Sequence, residues 1–145
     1  MLERAPMRSL LRTSAIFAAA ASVAACATAP AVPACPDGQQ RLRTAQLFFG
    51  RNIGDKPAIS DEAFRRFADE ELTPRFPDGL TILDGGGQWR GPENQLIREA
   101  AKIVLIVLPV RSDALQRVNA VRAAYKARFR QDSVLLITQA SCVSF

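Results

Sequence analysis

From residue 37 onward, apolar and polar positions switch between a two-residue and a three-to-four-residue rhythm. Leu42–Phe49 (LRTAQLFF) alternates loosely and stops at Gly50, which predicts a first strand with Phe48 and Phe49 on opposite faces. Residues 51–59, with Gly54 and Pro57, read as a loop. Ser60-Asp61-Glu62 predicts a helix start, a serine cap followed by two acids at the positive end of the helix dipole. Phe64, Phe67 and Leu72 form its buried stripe, and Pro74 ends it. Phe76-Pro-Asp-Gly79 is a turn. A second strand begins at Leu80–Leu83, is interrupted by Asp84-Gly-Gly-Gly87, resumes at Gln88-Trp89-Arg90 and turns back at Gly91–Asn94. Leu96–Pro109 holds the run Ile103–Leu108, apolar on both faces, which predicts a central strand covered on both sides. Ser112-Asp113 is expected to cap a second helix, with Leu115, Val118, Val121 or Arg122, Tyr125 and Phe129 facing inward. Ser133–Thr138 is a fourth strand.

The resulting order, β-α-β-β-α-β, predicts an α+β fold. It is the ferredoxin-like sandwich of one four-stranded antiparallel sheet with two helices on one face, in strand order 4-1-3-2. That order sets the start of the first strand beside the end of the fourth, so Cys35 and Cys142 are expected to meet in a disulfide. The sheet's second face, carrying one of Phe48 and Phe49 and alternate residues of the third strand, is too apolar to stay wet; a face-to-face homodimer would cover it.

The N-terminus obeys a different pattern. Arg4, Arg8 and Arg12 precede an Ala-rich apolar run of about eleven residues, too short for a span that needs ~20. Val23-Ala24-Ala25-Cys26 then fits a lipobox. The chain therefore divides into a lipoprotein signal peptide over 1–25, an Ala/Pro tether over 26–36 and one α+β domain over 37–145. Cys26 is the expected lipidation site, and its lipid makes the membrane a partner. The address is the bacterial cell envelope, facing the periplasm. By resemblance to bacterial lipoproteins, Ala27 after the lipidated cysteine implies the outer membrane. Ordinary secretion, with cleavage at an Ala-x-Ala-like site, and a retained anchor helix are the alternatives.

Composition narrows the chemistry. The chain carries +5; residues 1–25 hold three Arg and one Glu, leaving +3 on residues 26–145 with signs mixed. No clustered basic stretch calls for nucleic acid. There is no histidine, which removes the commonest metal ligand and the side chain best suited to proton transfer near neutral pH. With Cys26 lipidated, two cysteines cannot make a thiolate zinc site. No metal and no cofactor is expected, and Gly85-Gly86-Gly87 has neither phosphate-loop nor dinucleotide spacing.

The segment Phe76–Arg90 is the strongest functional candidate. Its glycines allow close backbone approach, Trp89 offers a stacking face, Arg90 a fork for a carboxylate, and Asp84 and Gln88 hydrogen-bonding groups. Glu99 lies on the facing strand. Asp84, Gln88, Trp89, Arg90 and Glu99 are thus the candidate binding residues; no catalytic residue is assigned. The plainer alternatives are a β-bulge with Trp89 as core and, for Glu99 and Lys102, cross-strand ion pairing. Tyr125 is read as core.

Several stretches together resemble an uncharacterised bacterial family, domain of unknown function 3574. They are Arg43–Gly50, Thr73–Asp84, Gly87–Arg90, Ala124–Phe129 and Cys142–Phe145. The resemblance covers residues 35–145 and implies a small secreted or lipid-anchored domain with no agreed activity. Two functions fit these features. The first is a non-enzymatic envelope module that binds a small ligand or envelope protein. The second is a small cofactor-free enzyme resembling dimeric α/β-barrel oxygenases or isomerases, in which Asp84, Trp89, Arg90 and Glu99 would line a cavity.

Overall fold

The structure, a computed structural model, describes residues 33–53 and 56–145; Cys26 and the expected leader lie outside them. Ala34–Phe145 is a compact unit that contains its own sheet, helices, core and disulfide. Its elements are β1 (Gln40–Gly50), a short hairpin of β2 (Asn52–Ile53) and β3 (Lys56–Pro57), α1 (Asp61–Phe67), β4 (Thr81–Arg90), β5 (Leu96–Val107), α2 (Ala114–Phe129) and β6 (Leu135–Val143). β1, β4, β5 and β6 form one antiparallel sheet in the order β4-β5-β1-β6, an α+β fold with the two long apolar strands in the middle.

Register decides which side chains share a face. Leu47 pairs with Val104, Phe49 with Lys102 and Asp84 with Lys102, so these residues lie on the helix-covered side. Phe48 pairs with Ile103 and with Leu135, and Trp89 with Ile97, which puts them on the other side. The helix side is filled by aromatics. Phe49 meets Tyr125 at 4.7 Å and Phe64 at 5.5 Å between ring centres, and Phe67 meets Tyr125 at 5.0 Å. Such edge-to-face pairs contribute about 0.5–1.5 kcal/mol each beyond the area they bury.

Ser60 caps α1 as expected: its Oγ accepts from the Ala63 amide at 3.1 Å, with Asp61 and Glu62 in the first turn. The helix then widens into a π-turn over Ala68–Leu72, closed by the Thr73 amide on the Ala68 carbonyl at 2.9 Å. Ala68 and Leu72 both stay buried through the wider turn.

Four local expectations change. β4 runs without a break through Asp84–Gly87, each residue paired in regular register with Lys102 to Glu99. The continuous backbone of β5 supplies the ladder, so the missing side chains open no bulge. β5 is central, yet only one of its faces is covered: Lys102, Val104 and Ile106 are buried while Ile103, Leu105 and Val107 are half-exposed. Asp113 stands at the cap position of α2 but caps nothing. Its carboxylate is drawn to Arg117 at 2.8 Å and Arg111 at 3.1 Å, which hold its pKa below the usual range. Ala114 takes the inward place expected of Leu115, which is exposed. Arg130, at φ 54°, ends α2 in a left-handed cap.

Cys35 and Cys142 are joined, with 5.5 Å between their Cα atoms and a separation of 107 positions in sequence. The β1–β6 ladder, which sets Arg41 opposite Cys142, brings the two ends together.

Candidate functional site: a trough on the uncovered sheet face

The uncovered face carries a concave trough of about 610 Å³. Small residues make its floor. A Cβ on Gly87 would meet nothing within 4 Å, and Gly50 lies directly beneath the Glu99 carboxylate, where a Cβ would come within 2.5 Å of Oε1. Trp89, 47% exposed, borders the trough on the β4 side, and Gln131, Asp132 and Ser133 border it after α2.

Glu99 is the chemical centre of this surface. Its Oε1 accepts the Asn52 amide at 2.8 Å, and Gln131 Nε2 donates to the Asn52 carbonyl at 2.5 Å. The loop after β1 thus fixes the carboxylate, and the segment after α2 fixes the loop. Among the described residues no Lys or Arg forms an ion pair with Glu99. A half-buried carboxylate with one backbone donor keeps acceptor capacity for a cation or a hydrogen-bond donor. Beneath it, on the other side of the sheet, Tyr125 donates its hydroxyl to the Gly50 carbonyl at 2.8 Å. Burial first, and then the negative charge of Glu99, push the phenol pKa well above its usual value against the opposing pull of Arg51. Tyr125 is a core residue that stays protonated.

The candidate residues do not converge on one point. Trp89 and Glu99 share the trough; Gln88 touches its rim from the helix-side register, opposite Arg98. Asp84 projects to the opposite side and pairs with the buried Lys102, which also binds Asp61 at 2.7 Å; Asp61 in turn meets Arg51 at 3.0 Å. Hydrogen bonds to Asp61 and Asp84 raise the Lys102 pKa, and the Lys102 bond followed by the Arg51 charge lowers that of Asp61. This cluster ties the first turn of α1 to β4 and β5. Arg90 staples the β4–β5 turn, donating Nη1 to both the carbonyl and Oδ1 of Asn94 at 3.1 Å. The cross-strand pairing expected of Lys102 is present, whereas Glu99 lies on the other face with no such partner.

Asn52, Gly50 and Gln131 were not singled out from the sequence. Gly50 registered only as the end of a strand, and nothing in the spacing of Asn52 and Glu99 announces a bond across 47 positions. Among the described residues no group of His, Cys, Asp and Glu is arranged to hold a metal ion, and no helix is long and apolar enough to cross a membrane.

Residues 44–145 match a family described as a protein of unknown function, DUF3574. The chain belongs to this family. No curated protein matches. Among solved structures, a phage SAM lyase in its apo state is similar at TM-score 0.55 and 20% identity, with 72% of this chain and 90% of that one covered. A phage SAM lyase in complex with S-methyl-5'-thioadenosine is similar at TM-score 0.55 and 17% identity, covering 79% and 96%. At these identities the likeness is one of fold.

Proposed function

We propose that this DUF3574 domain is a small-ligand binding module of the cell envelope, tethered through a lipid on Cys26, with its ligand seated over Glu99 and against Trp89. The observation that carries the reading is the Glu99 carboxylate: held by Asn52, laid over a glycine, without a cationic partner among the described residues, and facing an open trough. The ligand class that complements it has a positive charge or a pair of hydroxyl donors for the carboxylate and a flat or cationic group for the indole. Trp89 is the chain's sole tryptophan, so its fluorescence reports on the trough directly. Titration with SAM, S-methyl-5'-thioadenosine and choline compares a charged nucleoside, a neutral one and a bare cation. Binding that quenches Trp89 and weakens at least about tenfold in Glu99→Gln supports the reading, since a hydrogen bond to a charged group contributes about 1.5–3 kcal/mol. No binding of any probe at millimolar concentration overturns it. The anchor is tested separately: Cys26→Ala should abolish lipid labelling and membrane association in cells.

The fold likeness to a phage SAM lyase supports a second reading, a small enzyme acting on a sulfonium nucleoside in the same trough. It requires that the protein convert SAM, with S-methyl-5'-thioadenosine appearing in step with enzyme concentration and lost in Glu99→Gln. Binding without turnover leaves the module reading alone.

A further inference from the structure

The sheet distributes charge unevenly between its faces. On the uncovered side, register places Thr44, Gln46, Phe48 and Gly50 from β1 with Thr81, Leu83, Gly85, Gly87 and Trp89 from β4. Ile97 to Val107 at alternate positions of β5, and Leu135, Ile137, Gln139, Ser141 and Val143 of β6, complete it. Glu99 is the one charged residue in that set. Arg41, Arg43, Asp84, Arg90, Arg98 and Lys102, the other charged residues of these four strands, all take the helix-side register. An exposed surface normally shows the reverse, and depletion of charge with exposed aromatic and aliphatic side chains marks the core of a protein interface. Here Leu83, Trp89, Leu135 and Ile137 are 42–57% exposed in a single chain.

We propose that a second copy of this chain covers this face, sheet against sheet, and turns each open trough into an enclosed one. The footprint is sufficient. Four strands, the shortest of 9 residues, at spacings of ~4.8 Å and ~3.3 Å give at least about 570 Å² per copy. The pair therefore buries roughly 1,100 Å² before side-chain relief is counted, above the ~1,000 Å² that a specific interface needs. A self-complementary two-fold contact is the simplest way for one patch to cover itself. Sheets packed face to face sit about 10 Å apart, which leaves the small floor of Gly50, Gly87 and Ala101 as a chamber between them. The ligand reading concerns that chamber; the dimer itself rests on the uncharged face and stands without it.

The test uses Ala34–Phe145, the unit with its complete core and disulfide. Sedimentation equilibrium at up to about 1 mM, which also populates the weaker complexes formed by interfaces near 1,100 Å², should return twice the chain mass. The double substitution Leu135→Glu with Ile137→Glu on β6, and separately Leu83→Lys on β4, should halve the mass while circular dichroism and the disulfide are retained. Val110→Glu, 88% exposed and off this face, should leave the dimer intact. A parent that is monomeric, a monomer that instead floats with lipid vesicles, or folded face variants that remain dimeric overturn the proposal. Ligand binding by a monomeric parent would sink the dimer and spare the trough; a dimer that binds no probe would do the opposite.

Discussion

The two faces of one sheet are built from neighbouring residues of the same strands, and they serve different ends. Phe49 faces Phe64, Phe67 and Tyr125 and is wholly buried, while Phe48, one residue earlier, lies half-exposed above Leu135 and Ile103. The helix side neutralises its charge, with the buried Lys102 satisfied by Asp61 and Asp84. The other side keeps one carboxylate in its interior and leaves it without an ion pair among the described residues. One face neutralises its polar groups and interlocks its rings; the other holds a carboxylate in place by a single backbone donor and leaves it open to the surface.

The sharpest way to break that contrast is to truncate the two phenylalanines in turn. Phe49→Ala should cost about 3–5 kcal/mol, and Phe48→Ala about 1–2 kcal/mol, in urea unfolding of the Leu83→Lys background, whose change lies two strands away from β1. Equal losses would mean that the faces do not differ in kind. Opening the disulfide with Cys35→Ser and Cys142→Ser acts on both faces at once. It should cost about 2–5 kcal/mol, in keeping with a sequence separation of 107.

Tyr125→Phe is a smaller probe of the helix side. Losing the bond to the Gly50 carbonyl should cost about 1 kcal/mol near neutral pH. It should also flatten the alkaline limb of the stability curve. A phenol whose pKa is raised on folding loses its stabilising contribution as pH climbs past its ordinary 10.0. Lys102, also raised, contributes fully below its ordinary 10.5 and ceases to contribute above its elevated folded value. At the acid end, Asp61 and Asp113 are lowered, so their contribution holds above 3.8 and disappears as pH falls through the depressed values. Melting temperature against pH should therefore be level from about 5 to 9 and fall at both ends.

The smallest stability effect belongs to the trough. Glu99→Gln keeps an oxygen for the Asn52 amide and should change stability by no more than about 0.5 kcal/mol while weakening ligand binding. Gly50→Ala should weaken ligand binding by another route and cost about 1–3 kcal/mol of stability, since its Cβ pushes the carboxylate off the Asn52 amide and leaves that donor unpaired. Unfolding of the domain by Glu99→Gln would make Glu99 a structural residue.

Much of the fold was legible because periodicity and caps are local. Ser60, the run Ile103–Leu108 and the Cys35–Cys142 pairing each follow from neighbours in sequence or from strand order. The site was half legible. Trp89 and Glu99 stood out by residue type, and they share a surface. Asp84 and Arg90 stood out for the same reason and are spent on an ion cluster and a turn, because a strand sends adjacent side chains to opposite faces. The glycine run misled for a related reason. Its composition signals a break, yet the partner strand supplies the hydrogen bonds that composition cannot reveal. Asn52 and Gln131 escaped because their roles use backbone groups far apart in sequence.

The sulfur bridge at the end of the sheet has a mechanical consequence. Tension applied between the chain before Cys35 and the chain after Cys142 travels through the covalent link and bypasses the whole segment between the two cysteines. β1 cannot be unzipped from β6 by such a load. Such a load passes through the sulfur link and leaves the ring stack and the trough unstrained.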